Sequence, residues 1–325
     1  RGTRGGYPMS IAGAIEEVTE DEAFIDAGML GTWDRGSEPA EAPGMVAPSR
    51  PLLWRRLALY GVLTACLLPL QMLAVALRAP LSSSIPLFYH GLCARLLGFR
   101  VHTRGTPLRD DAVLYASNHV SYFDIVVLGS LLRASFIAKS EVKTWPGFGL
   151  LAVLQRTVFV ERRRGRSKEH ANVIAERLEA GDRLILFPEG TSNDGNRTLP
   201  FKSALFSAVK PASGNGPVAG NGPVAGNGPV NADIRIQPVS VTYTRLNGMP
   251  MGRGLRPFYA WYGDMDLVPH LLDALSLGRV DVEVEFHEPV DPANFANRKE
   301  LAAHCQRIVA NGVSRALSGR SGAAS

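Results

Sequence analysis

The chain has 325 residues, of which 46% are apolar, and this suffices for one large domain or two small ones. Its net charge of +5 is unevenly distributed, because residues 1–50 contain nine acidic residues and four arginines. The basic remainder suits a phosphorylated substrate, an acidic protein partner or an anionic membrane surface. No basic stretch is interleaved with aromatic residues, so the composition argues against a nucleic-acid-binding protein.

The three cysteines are scattered along the chain, at Cys66, Cys93 and Cys305. They form neither a CxxC pair nor a set with metal-ligand spacing, which predicts a reducing compartment, no disulfide framework and no metal site. Any chemistry is therefore expected from acid–base side chains and not from a bound metal.

Three segments have compositions that do not favour a packed core. Residues 1–50 are rich in Gly, Pro, Ala and Glu and predict a disordered leader, and residues 318–325 predict a disordered tail. We expect no signal peptide in this leader, because the apolar region begins too late and lacks a small-residue cleavage site. Residues 214–231 repeat Gly-Asn-Gly-Pro-Val-Ala three times, with Asn231 in place of the last Ala. A short period with two Gly and one Pro predicts a flexible surface insertion.

Residues 51–98 contain two apolar stretches. Leu57 to Leu77 is 21 residues without a charge, which is long enough for a membrane helix, although a proline and a glutamine interrupt it. Ile85 to Phe99 forms the second stretch, and basic residues flank both ends of the first. Because the flanking charge is nearly symmetric, we expect a membrane-embedded helical pair with both ends on the cytoplasmic side. A single span and a buried core helix are the alternatives.

From residue 99 to residue 317, strand-like and helix-like patterns alternate, which predicts one α/β domain with a mixed sheet. The predicted strands are Arg100–Thr103, Ala112–Ala116, Ser135–Ala138, Thr157–Val160, Arg183–Phe187, Ile234–Tyr243 and Val280–Phe286. The predicted helices are Ile125–Arg133, Lys168–Glu179, Ser203–Val209 and Arg298–Ala316. The last strand alternates apolar and charged residues, which indicates a half-exposed strand near a sheet edge.

The stretch from Asn118 to Asp124 lies between a predicted strand and a predicted helix, where side chains can face a cleft on a rigid scaffold. His119 carries the side chain that most readily takes up a proton at neutral pH. Asp124, five residues later, can hold the other ring nitrogen and stabilise the imidazolium. Such a pair activates a hydroxyl for attack on a carbonyl. Alternatively, His119 caps the helix and Asp124 is a first-turn carboxylate favoured by the helix dipole.

The turn from Phe187 to Ser192 follows another predicted strand, at a place where α/β sheets often bind ligands. Its hydroxyls and amides can hold phosphate oxygens, and Lys202 lies nearby in the sequence. A plain structural turn explains the same residues about as well.

Two further segments end or interrupt strands. The strand Thr157–Val160 leads into three arginines, and Arg162 is the candidate phosphate clamp because arginine binds phosphate through a planar fork. A solvated basic turn is the alternative. Pro238 lies inside a predicted strand, which indicates a sheet edge or a bulge bordering a pocket.

In this order, the four segments resemble the motifs of the glycerolipid acyltransferase family, specifically the bacterial 1-acyl-glycerol-3-phosphate acyltransferases. Residues 118–124 match its N-H-x4-D motif, and residues 159–162 resemble its aromatic-aliphatic-x-Arg motif. Residues 187–192 match its F-P-E-G-T motif, and Pro238 lies where the proline of the fourth motif falls. The resemblance covers residues 80–290 approximately.

The resemblance implies an α/β acyltransferase domain in which His119 is the general base and Asp124 its orienting partner. It implies that the substrate is bound by Arg162, Glu189, Gly190 and Thr191. We add Asn118 and Lys202 to this substrate-binding set. The chain departs from the family where Ser192 replaces a frequent Arg and Asn193 replaces a frequent Ser. This departure leaves room for a different acceptor.

The expected reaction moves an acyl chain from coenzyme A or acyl carrier protein to lysophosphatidic acid, making phosphatidic acid, with no cofactor. A lyso-ornithine lipid is the alternative acceptor, since that transfer uses the same motifs. A non-catalytic membrane lipid-binding protein is a further alternative, which the intact His–Asp pair disfavours. A hydrolase is disfavoured because the chain has no G-x-S-x-G nucleophile elbow. The expected location is the cytoplasmic side of a bacterial inner membrane.

Overall fold

The structure is a computed structural model that describes residues 48–161, 167–209 and 234–320. The predictions for most of the leader, for the 214–231 insertion, for Arg162 and for the last five residues lie outside these residues. The helices are α1 (Arg50–Ala76), α2 (Leu81–Leu97), α3 (Phe123–Gly129), α4 (Phe148–Leu154), α5 (Ser167–Glu179), α6 (Leu267–Ser276) and α7 (Arg298–Leu317).

The strands form one mixed sheet of eight strands. They are β1 (Phe99–Arg104), β2 (Val113–Ser117), β3 (Ser135–Lys139), β4 (Val158–Val160), β5 (Leu184–Leu186), β6 (Arg235–Leu246), β7 (Met249–Pro250) and β8 (Val280–Phe286). The order is β1-β8-β6-β2-β5-β3-β4, with β7 paired to β6. From β6 to β4 all neighbours are parallel, whereas β8 runs antiparallel to β6 and parallel to β1.

All seven predicted strands are present, and the predicted fold class is confirmed. Two short helices, α4 and α6, were not predicted, and the predicted helix Ser203–Val209 is only a 3-10 turn at Ser203–Phe206. The alternating strand β8 buries its four apolar residues and lies second from the edge, covered on its outer side by β1.

Helices cover both faces of the sheet. Successive residues of β2 point to opposite faces, so Val113 and Tyr115 pack in one apolar cluster and Leu114 and Ala116 in another. The first cluster includes buried residues of α2, α3 and α6, and the second includes those of α5 and α7. This arrangement leaves the ends of the strands as the place where polar side chains can meet.

Pro238 lies in a central strand, so the expectation of a sheet edge is wrong and that of a bulge is confirmed. Val239 pairs with Phe286, so a regular antiparallel register would place Ile236 opposite Pro289. Ile236 instead pairs with Val290, so the segment after β8 contains one extra residue, which is the bulge. The carbonyl of Pro238 accepts a hydrogen bond from the amide of the residue after β8 (3.0 Å), so the side that lacks an N–H faces the bulge.

Helices α1 and α2 form an antiparallel pair, which we call the hairpin. Ser49 caps α1, and Gly98, in the left-handed conformation (φ 81°), ends α2. Helix α1 is long and apolar enough to cross a membrane, and 11% of its most apolar window is buried. Large apolar side chains such as Trp54 and Val62 are exposed, which does not fit the alternative of a buried core helix.

Candidate active site

The three strands β5, β2 and β6 are adjacent and parallel, so their carboxyl ends lie at the same edge of the sheet. The predicted site residues follow β2 and β5, while β6 extends past them to Leu246. This edge is the usual ligand site of an α/β sheet.

His119 and Asp124 form the hydrogen-bonded pair that the sequence predicts. The Nδ1 atom of His119 lies 2.9 Å from Oδ2 of Asp124, whose side chain is fully buried. The same oxygen accepts hydrogen bonds from the amides of Val120 (2.7 Å) and Ser121 (3.0 Å). Because a carboxylate only accepts, Nδ1 carries the proton and Nε2 carries the lone pair. The imidazole side chain is 21% exposed, so a substrate hydroxyl can reach it.

Two aromatic side chains fix this pair, and the sequence reasoning missed both roles. The ring of His119 stacks on Phe187 with centroids 4.1 Å apart. The hydroxyl of Tyr243 donates to Oδ1 of Asp124 at 2.9 Å, so both carboxylate oxygens are engaged. The sequence analysis identified Phe187 only as part of a motif, and nothing in the local sequence distinguishes Tyr243 from the other residues of its strand.

Asn118 is bound to the sheet. Its side-chain oxygen accepts from the amide of Val241 (2.8 Å), and its side-chain nitrogen donates to the carbonyl of the same residue (2.9 Å). The side chain therefore continues the pairing of β2 with β6 beyond the end of β2. This geometry makes Asn118 part of the scaffold, while its predicted contact with substrate stays a prediction.

Glu189 contacts the backbone of His119 and is 1% exposed. One carboxylate oxygen accepts from the amide of His119 (3.2 Å), and the other accepts from the side chain of Asn193 (2.6 Å). Burial raises the pKa of Glu189 to about 8, and these two hydrogen bonds oppose the rise. The geometry shows a brace between two turns, while the predicted substrate contact stays a prediction.

The turn after β5 brings three predicted residues together. Gly190 has a positive φ of 69°, and a Cβ there would lie 3.1 Å from Nζ of Lys202. The amide of Lys202 donates to the carbonyl of Pro188 (2.8 Å), which holds that side chain against the turn, and Thr191 is exposed beside it. The amide of Gly190 donates to the carbonyl of Phe187 (3.0 Å), and the exposed residues Thr191 and Lys202 place a hydroxyl and a cation on the surface beside it.

Ser192 does not offer a charge to a ligand, unlike the arginine that is frequent in the family. Its hydroxyl donates to the carbonyl of Trp261, and the amide of Trp261 donates to the carbonyl of Val120 (3.0 Å). The amide of Asn193 donates to the carbonyl of His119 (3.1 Å). These bonds attach the loop after β5 to the backbone of His119 and, through Trp261, to that of Val120.

An apolar cavity of about 230 Å³ lies between the hairpin and the domain. Its wall includes Tyr122, which is part of residues 118–124, the candidate catalytic stretch, and side chains from α1, α2, α4 and α6. Its apolar lining suits an acyl chain, and Tyr122 links it to the His119 region. No group of three or more metal-ligating side chains occurs in the described parts of the chain.

Comparison with known proteins gives matches that agree with this geometry. An acyltransferase family model matches residues 98–242. The chain is 46% identical to a lyso-ornithine lipid O-acyltransferase of Brucella abortus over 79% of this chain and 92% of that protein. It is 42% identical to a protein of the same name from Rhizobium meliloti over 82% of this chain and 89% of that protein.

Two further matches are more distant. A 1-acyl-sn-glycerol-3-phosphate acyltransferase of Neisseria gonorrhoeae is 31% identical over 61% of this chain and 68% of that protein. The crystal structure of the 1-acyl-sn-glycerophosphate acyltransferase of Thermotoga maritima superposes with a TM-score of 0.52 at 23% identity, covering 81% of this chain and 97% of that one. This superposition supports the fold. The chain belongs to the glycerolipid acyltransferase family, and it is an enzyme that transfers acyl groups to a hydroxyl.

Proposed function

We propose that this enzyme transfers an acyl chain from an acyl thioester to the free hydroxyl of a lyso-ornithine lipid. The observation that carries the proposal is the greater identity to the two lyso-ornithine lipid O-acyltransferases than to the Neisseria enzyme. This similarity favours the acceptor that the motifs left as the alternative over lysophosphatidic acid, which they put first.

The loop after β5 supports the same acceptor. Ornithine carries a carboxylate and an ammonium group and no phosphate, so its head group has less need of a cationic clamp than lysophosphatidic acid has. Ser192, bound to the carbonyl of Trp261, supplies no cation where the family frequently has arginine. The cation of this turn is Lys202, beside Gly190, and in this proposal it faces the ornithine carboxylate.

The reaction that we propose uses His119 as a general base. Nε2 removes the proton of the acceptor hydroxyl while Nδ1–H donates to Asp124, which stabilises the imidazolium. The acceptor oxygen attacks the thioester carbonyl, and the tetrahedral intermediate expels a thiolate, which takes the proton back from His119. A positioned base of this kind contributes about 10² to 10⁴ in rate.

The remaining assignments complete this proposal. The acyl donor is a coenzyme A or acyl carrier protein thioester, and its chain enters the apolar cavity under the hairpin. Glu189 braces the backbone of His119, and Arg162, which lies outside the described residues, binds the head group. The exposed apolar surface of α1 associates with the membrane that holds the acceptor, on the cytoplasmic side of a bacterial inner membrane.

The test is acyl transfer by purified enzyme in detergent, with lyso-ornithine lipid and lysophosphatidic acid offered separately and each thioester donor tried in turn. We expect a higher kcat/KM with lyso-ornithine lipid. We expect His119→Ala to lose at least about 10²-fold in kcat. His304→Ala is the control, because His304 is a half-exposed residue on α7, away from the strand ends.

Lysophosphatidic acid is the second candidate acceptor, favoured by the Neisseria relative and by the lysine beside the turn after β5. A preference for it would overturn the lyso-ornithine proposal and keep the mechanism. Full activity of His119→Ala would overturn the mechanism. If neither lipid is acylated by the wild type, both acceptor proposals fail and the acceptor is a different hydroxyl-bearing lipid.

A further inference from the structure

Tyr243 lies in β6 and is 3% exposed. Its hydroxyl is 2.9 Å from Oδ1 of Asp124, the oxygen that His119 does not use. The two residues are 119 apart in the chain, so this contact depends on the sheet and not on the catalytic stretch itself.

The direction of this hydrogen bond is fixed by chemistry. Asp124 accepts from the imidazole and from two backbone amides, so it is ionised, and a carboxylate can only accept from the phenol. Burial, followed by the charge of Asp124, raises the pKa of Tyr243 well above its ordinary value. The phenol therefore stays protonated and donates throughout the working pH range.

We infer that Tyr243 is a positioning residue for acyl transfer, which holds the Asp124 carboxylate in the plane that serves His119 and draws negative charge toward Oδ1. The inference rests on the proposed role of His119 as the base. If the phenol is lost, more charge remains on Oδ2, and the imidazolium of His119 is stabilised. A protonated His119 cannot accept a proton, so activity is then lost at a higher pH than in the wild type.

A packing role is the competing explanation, because the ring of Tyr243 stacks on Tyr259 with centroids 6.2 Å apart. Tyr259 offers a matched control. It is 1% exposed, and its buried hydroxyl has no hydrogen-bond partner among the described residues. Tyr259→Phe therefore removes a hydroxyl from the same aromatic stack without touching Asp124.

Other titratable groups face this pair and bear on its pH dependence. From the loop after β5, Glu189 contacts the amide of His119, and its pKa of about 8 places its titration near neutrality. From the catalytic stretch, Tyr122 bonds to His270 of α6 (2.8 Å), and burial lowers the pKa of His270. These groups are the same in both variants, so the comparison between variants isolates the phenol of Tyr243.

The experiment is the pH profile of kcat/KM for wild type, Tyr243→Phe and Tyr259→Phe, with whichever lysolipid the wild type acylates faster. We expect Tyr243→Phe to lower kcat/KM about 10-fold at neutral pH and to move the acid limb up by roughly half a pH unit. We expect Tyr259→Phe to do neither. An unchanged profile in Tyr243→Phe, or the same shift in both variants, would overturn the inference.

Two further variants keep the test decisive. Fluorotyrosine at position 243 preserves the ring and makes a stronger donor, so the acid limb should move to lower pH; no movement would count against the inference. On an Asp124→Asn background, Tyr243→Phe should have no further effect on kcat if it acts through the carboxylate. An acceptor other than lyso-ornithine lipid would leave all these comparisons intact, whereas an active His119→Ala would remove their premise.

Discussion

The candidate catalytic stretch and the cavity under the hairpin are built in opposite ways. In the stretch, the imidazole of His119 and both oxygens of Asp124 have fixed hydrogen-bond partners. The cavity is lined mainly by apolar side chains from several helices. Proton transfer needs one orientation, which directional hydrogen bonds provide, while an acyl chain needs volume, which dispersion and burial provide.

The hairpin is nevertheless attached to the domain by directional contacts. Arg56, buried in α1, donates to the carbonyls of Leu275 (2.8 Å), Leu277 (2.6 Å) and Gly278 (3.0 Å) at the end of α6. Gln71 donates to the carbonyl of Leu154 at the end of α4 (2.8 Å) and, within the hairpin, to that of Ser82 on α2 (2.9 Å). The hairpin that covers the apolar cavity is thus held to the domain by a few polar anchors, the side chains of Arg56 and Gln71.

The largest effect should follow from breaking the directional network at its centre. Asp124→Asn keeps the shape of the side chain but removes the charge that stabilises the imidazolium. We expect kcat to fall by about 10³ to 10⁴, with little change in the melting temperature. The measurement is kcat at saturating acceptor and donor. Asp111→Asn, at an 80% exposed surface carboxylate, should keep full activity, and an Asp124→Asn enzyme within 10-fold of wild type would contradict the role of the charge.

This contrast also explains what could be predicted from the sequence. His119 and Asp124 were identifiable because the two residues that make the pair lie five positions apart on one turn. Tyr243 could not be identified, since its contact forms only when β6 pairs with β2. For the same reason the bonds of the Asn118 side chain to β6 were not predicted. The sequence could predict the local pairing of His119 with Asp124 but not the contacts that cross the sheet.

The second test removes a polar anchor of the hairpin. Arg56→Gln loses charge-assisted hydrogen bonds to carbonyls at the end of α6, and we expect it to destabilise the protein by about 2 to 4 kcal/mol. Arg55→Gln is the matched control, because Arg55 precedes Arg56 in the same helix and its side chain is exposed. Thermal unfolding in detergent measures both variants. Equal melting temperatures for the two would show that the anchor contributes nothing.

Arg56 also shows the limit of reading the membrane segment from sequence. Arg55 and Arg56 together looked like a flanking charge at the end of an apolar stretch. In the structure α1 begins at Arg50, and the second arginine points into the domain. Helix α6, which it contacts, was not predicted. It is amphipathic, but it is only ten residues long and has a proline at its third position, so its apolar pattern is short.

The third test fills the cavity from α4. Ala152 lines the cavity, so Ala152→Phe should exclude the longest acyl chains and reduce the preference for long over short donors by about 10-fold or more. Leu150→Phe is the control, since Leu150 lies on the same helix and is 47% exposed. Competition between acyl thioesters of different length measures the preference. An unchanged preference in Ala152→Phe would mean that the acyl chain binds elsewhere.

The smallest expected effect concerns Glu189, whose hydrogen bonds join the backbone of His119 to the side chain of Asn193. The pKa of Glu189, about 8, lies above its ordinary value of 4.5, so the folded protein holds this proton more tightly than the unfolded chain does. The resulting stabilisation is fully present below about pH 4.5 and is lost as the pH rises toward 8. Glu189→Gln has no such proton. The melting temperature of the wild type should therefore exceed that of the variant by several degrees more at pH 5.5 than at pH 8.5.

Glu283, a half-exposed residue of β8, provides the control for this pH dependence of the melting temperature. Glu283→Gln changes the same functional group away from the strand ends. Its difference from the wild type should not vary with pH in this range. A Glu189→Gln difference that is constant from pH 5.5 to 8.5 would mean that the carboxyl stays ionised, held by the His119 amide and Asn193. In that case the hydrogen bonds to Glu189 outweigh its burial, and the brace, like Asp124, works as a fixed negative charge.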